Sequence, residues 1–179
     1  IRQIGPSVAA GPTGEFVVVW TELDDFGSSH DGSGAGVFGQ RFDSNGQPAG
    51  TEFLVNTYTT GAQAGADVAT DETGDFIVVW SSGQFRSDDT GPDGSSRGVF
   101  APRFTSGGQK VGTEFQVNTY TTGRQDSPAV DFDSDGDFVV VWQSQDTDNL
   151  AQRFDSSGQP VGTELQVKLS TTLTSSPQI

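Results

Sequence analysis

The segment GDFVVVW at residues 136–142 recurs as GDFIVVW at 74–80 and as GEFVVVW at 14–20. A chain that spells one apolar segment three times is built from repeats, and a repeat of this size buries its faces by stacking on its neighbours. The apolar residues stand at consecutive positions, so both faces of the segment must be covered, as in the interior of a sheet structure.

A whole unit recurs around each segment. A block reads VFGQRFDSNGQPAGTEFLVNTYTTG from Val37 and VFAPRFTSGGQKVGTEFQVNTYTTG from Val99, and a third copy, LAQRFDSSGQPVGTELQVKLSTT, starts at Leu150. The RF pair stands at Arg41, Arg103 and Arg153, 62 and then 50 residues apart, and the missing length lies entirely between Trp142 and Arg153. An insertion confined to one place marks a loop outside the repeated frame. Each unit offers four strand candidates: a short one before the acidic turn, the VVVW strand, the RF strand and the TEF strand. The last two are joined by Gly-rich turns of the hairpin kind. No window shows helical spacing of apolar residues, and Val, Phe and Thr are plentiful while Met is absent.

The expected fold class is therefore all-β, with three four-stranded antiparallel units resembling propeller blades. A threefold β-trefoil or β-prism is the alternative. The expected organisation is one repeat domain over 1–179, cut from a longer array, with units 6–65, 66–127 and 128–176 and residues 177–179 opening a further unit. Three units are too few to close a propeller, so the expected partners are neighbouring repeats or another copy of the chain.

Charge and composition exclude other classes. Twenty-four Asp and Glu against nine Lys and Arg give a formal net charge of −15, which repels nucleic acid and anionic membrane surfaces. No apolar run reaches the roughly 18 residues that a membrane span needs. Without cysteine there is neither a disulfide framework nor a thiolate metal site.

The strings VVW, DGS, QRFD and VNTYTTG resemble tandem repeats of very large secreted or surface proteins of bacteria, some of which also carry RTX-type calcium-binding repeats. The resemblance covers residues 5–179. It implies an extracellular or cell-surface setting and an array architecture, and it carries over no catalytic residue. The third unit departs from it by lacking the DGS loop.

Candidate functional residues fall into three groups. Asp131, Asp133, Asp135 and Asp137 alternate around Gly136, a pattern that can converge on Ca²⁺, which takes six to eight oxygen ligands. The counterpart segments keep only Asp71 and Asp75, or Glu15. The same residues also suit plain hairpin turns. The loops after the first two VVW strands bring Asp31, Phe85 and Asp93 forward as weak glycan-binding candidates, since carboxylates beside an aromatic ring can hold a sugar. Lone His30 has no nucleophile marked beside it. Trp20, Trp80 and Trp142 read as core, and Arg41, Arg103 and Arg153 as structural, each paired with the Glu of its own unit's GTE (Glu52, Glu114, Glu164).

No acid pair stands out as a catalytic dyad. The functional expectation is a non-catalytic extracellular module, a spacer, assembly or adhesion element whose partners include glycans or surface proteins. A calcium-supported, lectin-like carbohydrate-binding module is the alternative.

Overall fold

The computed structural model describes residues 2–23, 31–32, 34–83, 91–94, 96–145 and 148–167. They form twelve strands, and among the described residues there is no helix. The first unit contains β1 (Arg2–Ala10), β2 (Phe16–Leu23), β3 (Ala35–Phe42) and β4 (Phe53–Leu54). The second contains β5 (Ala62–Thr70), β6 (Phe76–Gly83), β7 (Arg97–Phe104) and β8 (Lys110–Gln116). The third contains β9 (Gln125–Phe132), β10 (Phe138–Ser144), β11 (Asp148–Phe154) and β12 (Pro160–Val167).

Within each unit the strands pair antiparallel in chain order. A single parallel bridge, Ala35 to Ala62, links the first unit's ladder to the second's. The first strands β1, β5 and β9 lie side by side and the units fan out from them. Asp67 on β5 ties all three: one carboxylate oxygen accepts from Ser7 Oγ of β1 at 2.6 Å and the other from Val130 N–H of β9 at 3.0 Å.

The first strands are longer than the short segments expected from sequence. Pairing resumes beyond a bulge, at Ile4/Ser7, Ala64/Asp67 and Val141/Gln143. Gly5, Gly65 and Ser127 occupy the corresponding bulge position with φ of 56°, 67° and 53°. A bulge of this kind wants a left-handed residue, so the first two units use Gly, and Ser127 is the only described non-glycine at positive φ. Each unit also stacks the aromatic ring that opens its second strand on the one that ends its third. Phe16–Phe42, Phe76–Phe104 and Phe138–Phe154 have centroids 4.8, 4.8 and 4.9 Å apart.

The second strand behaves as its consecutive apolar letters require. Along β6 every residue is buried, and its alternate side chains feed two different cores. Phe76, Val78 and Trp80 join Val17, Val19, Val37 and Val55 of the first unit. Ile77 and Val79 join Phe138, Val140 and Trp142 of the third. One unit therefore presents an aromatic face to the unit before it and a valine face to the unit after it. The flanking units show what an uncovered face looks like. In β2 Phe16 and Val18 are only half-buried, and in β10 Val139 is half-buried and Val141 exposed.

Trp80 is 0% exposed inside a two-sided core, whereas Trp20, 9% exposed, belongs to neither core. Trp80→Ala is expected to cost about 3–5 kcal/mol, the usual range for emptying a fully packed indole site, and Trp20→Ala distinctly less. Denaturant unfolding of both variants checks this, and equal losses would mean that the middle unit is not the keystone.

Candidate functional site

The turns that carry the four alternating aspartates are set by hydrogen bonds to the backbone. Asp133 Oδ1 accepts from the N–H groups of Asp135 and Asp137, at 3.0 and 3.1 Å. Asp137 reaches the N–H of Ser156 in the neighbouring hairpin at 2.9 Å, and Asp131 accepts from Phe132 N–H at 3.0 Å. Asp71 and Asp155 repeat the arrangement of Asp133. The Ser157 hydroxyl, with the N–H groups of Gln159 and Ser157, holds the Asp155 carboxyl below its ordinary pKa. Three of the four carboxylates, those of Asp131, Asp133 and Asp137, thus accept from backbone N–H groups, and among the described residues no three acids or histidines gather around one point. The Asp133 turn meets Asp71 and Glu72 of the second unit and Pro12 of the first around a cavity of about 320 Å³ at this end of the first strands.

Of the three weak glycan candidates, Phe85 lies outside the described residues, as does His30. Asp31 and Asp93 fold back on Gly36 and Gly98, where an added Cβ would stand 2.9 Å from the Oδ2 atom of its aspartate. The repeated DGS motif therefore needs its later glycine as a seat for its aspartate.

The repeated arginines and glutamates do not pair within their own units, and this corrects the expected registry. Arg41 donates to the backbone carbonyl of Ser106 in the next unit at 2.5 Å and to Ala49 O at 2.8 Å. Arg103 likewise donates to Ser156 O at 2.6 Å. Glu114 reaches back one unit to Thr57, accepting from its N–H at 2.7 Å and its hydroxyl at 2.8 Å. Glu164 does the same to the N–H groups of Thr119 and Tyr120. Both residue types are clamps between units. Lys110 adds a third, donating to Val55 O at 2.9 Å, and its burial pushes its pKa down, partly opposed by Glu114.

Sequence reasoning missed a polar cleft at the opposite end of the third unit, where β9 starts, β10 ends and β11 starts. It encloses about 370 Å³ and is lined by Arg124, Asp126, Gln143, Ser144, Gln145 and Asn149. Asp126 is held by Arg97 at 2.7 Å and Arg124 at 2.9 Å. Ser144 is buried, and its hydroxyl has no hydrogen-bond partner among the described residues. Beside it Gln125, fully buried, accepts from Trp142 Nε1 at 3.0 Å and donates to Thr122 O, which fixes the cleft wall. The one available signal was the contracted connection between Trp142 and Leu150. Its chemistry is that of a hydrogen-bonding site, with guanidinium and amide donors around one carboxylate.

No family model and no curated protein matches the chain. Solved structures do. The endo-arabinase of Bacteroides thetaiotaomicron aligns at a TM-score of 0.50 and 15% identity, over 93% of this chain and 57% of that one. A GH43 endo-arabinanase of Bacillus licheniformis aligns at 0.48 and 16%, over 89% and 56%. The chain thus spans a little over half the length of these enzymes. The shared fold is the β-propeller, and the trefoil and prism alternatives are set aside. Likeness at this identity speaks to fold, and a fold that houses glycoside hydrolases overturns the expectation of a non-catalytic spacer, assembly or adhesion element that is no enzyme.

If Arg103 and Glu114 serve different seams, their substitutions act independently. Arg103→Ala and Glu114→Ala are each expected to cost about 1 kcal/mol, and the double variant the sum to within roughly 0.5 kcal/mol. Coupling well above that would restore the intra-unit ion pair.

Proposed function

We propose that this chain supplies three blades of an extracellular, carbohydrate-active β-propeller, and that the cleft around Asp126 holds the glycan. The observation that carries the reading is the cleft itself. On a fold shared with an endo-arabinase, a carboxylate oriented by two arginines stands with three side-chain amides and a buried, unpartnered serine hydroxyl. Such a set accepts and donates to vicinal hydroxyls in fixed directions, which is how a polar pocket orients a sugar. The extracellular setting rests on the resemblance to bacterial surface repeats.

Cleavage of a glycosidic bond takes two carboxyl groups across the scissile linkage. Asp126 is the only acid among the described residues of the cleft. In this reading the blades hold the polysaccharide, with Asp126 as an anchoring or reacting group, and the second carboxyl comes from outside the cleft's own lining. Arabinan is the first substrate to try, because the fold neighbour from Bacteroides thetaiotaomicron is an endo-arabinase by name.

Affinity electrophoresis in gels cast with arabinan and a panel of other polysaccharides tests the proposal. Retarded migration in at least one gel is expected, with affinity reduced about tenfold or more by Asp126→Ala or Asn149→Ala, the loss that one well-placed hydrogen bond produces. Unretarded migration through every gel would contradict it.

A further inference from the structure

Both seams inside the chain use the same surfaces, and the chain's two outer faces are further copies of those surfaces. The aromatic face that the second unit lays on the first consists of Val68, Phe76, Val78, Trp80, Phe100 and Phe104. The corresponding residues of the first unit are Val8, Phe16, Val18, Trp20, Phe38 and Phe42; among the described residues no further unit lies over them, and although Trp20 and Phe38 are buried, Phe16, Val18 and Phe42 are only half-buried and Val8 is exposed. Val8 is 62% exposed and Ile4 38%. Ile4, Val18, Trp20, Phe42 and Glu52 line an open groove of about 430 Å³ along this face. At the other outer face, Val139, Val141, Ala151 and Val167 stand where the second unit buries Ile77, Val79, Ala101 and Val117 against the third. Val141 and Val167 are exposed.

A half-made cavity shows the same complementarity. At the first seam a cavity of about 180 Å³ is walled by Glu15, Phe16, Val17 and Arg41 on one side and by Gly74, Phe76 and Ser106 on the other. The third unit carries the first wall alone: Asp137, Phe138, Val139 and Arg153 border an open pocket. Arg153 is exposed, whereas Arg41 and Arg103 are half-buried against the next unit's hairpin. The hairpin carbonyl matching Ser106 and Ser156 on the uncovered first unit is that of Ser44.

We propose that a second copy of this chain docks head to tail, the valine face of its third unit against the aromatic face of the first, with Arg153 reaching the Ser44 carbonyl across the new seam. Two copies joined at both ends give six units, within the roughly four to eight blades of closed propellers. Two positions on the valine face are polar where the earlier units are apolar, Asp131 for Ala9 and Ala69, and Asn149 for Val37 and Val99. They make the intermolecular seam weaker than the internal ones. The charge of −15 on each copy opposes association as well, so dimerisation tightens with added salt.

Light scattering coupled to size exclusion, run over a concentration series of the full chain, is the test. The expected mass at high concentration is twice the 18.8 kDa of one chain. Val18→Asp disables only the aromatic face and Val141→Asp only the valine face, so each variant alone is expected to stay monomeric. An equimolar mixture keeps one intact seam and should form a heterodimer. Val8→Glu, at a position already mostly exposed, stands in for Val18→Asp if circular dichroism shows that variant to be unfolded. A wild-type chain that stays monomeric throughout, a dimer indifferent to Val18→Asp and Val8→Glu, or a mixture that remains monomeric would each overturn the proposal. Val141→Asp dimerising by itself would overturn it too, because the aromatic face would then be pairing with itself.

Discussion

One packing contact, used twice, holds the described structure together: the aromatic face of one unit laid on the valine face of the unit before it. A four-stranded meander of about 50 residues buries only enough surface to be marginal alone, and here each unit has apolar side chains on both sides of its sheet. Only the middle unit satisfies both. Polar clamps fix how the faces meet. Arg41 and Arg103 hold the next unit's hairpin carbonyl, Glu114 and Glu164 hold backbone N–H groups of the previous unit, and Asp67 joins the three first strands. Arg41, Arg103, Glu114 and Glu164 each bond a backbone group of a neighbouring unit in a fixed direction. Sliding one unit against another would break these directional bonds together, so the apolar faces supply the attraction and the clamps the registry.

Much of this was legible in the letters because burial and turn chemistry are local properties. Consecutive apolar residues in the second strand meant two covered faces, and β6 has them. The hairpin turns were equally plain. At 105 a threonine stands in place of Asp43 and Asp155, and its hydroxyl still accepts from Gln109 N–H at 3.2 Å. The position asks for an acceptor oxygen, not for a charge. That substitution also shows why the aspartate run reads two ways in the letters. Alternating carboxylates with a glycine suit a cation or a backbone turn equally, and only coordinates show where the oxygens point.

What the letters hid is what crosses between units. In a repeat, Arg103 has three equivalent glutamates to choose from, and spacing cannot tell a partner in its own unit from one next door. The partner expected for the arginine was its own unit's glutamate, whereas the structure gives it a carbonyl in the following hairpin. The cleft around Asp126 was invisible for a related reason. Its lining comes from β9, the end of β10 and the start of β11, joined by a connection that in sequence merely looked shortened. The same contraction distinguishes the unit that carries the cleft from its two siblings.

The most direct measurement of the two-sided seam is residue-resolved amide hydrogen exchange. With both faces of β6 covered and only one face of β2 and of β10, amides of Phe76–Trp80 open only with global unfolding and should be the slowest to exchange. Those of Phe16–Trp20 and Phe138–Trp142 open through smaller excursions and should exchange faster. Equal protection across the three second strands would contradict the account, because the units would then owe their stability to their own hydrogen bonds and not to being packed between neighbours.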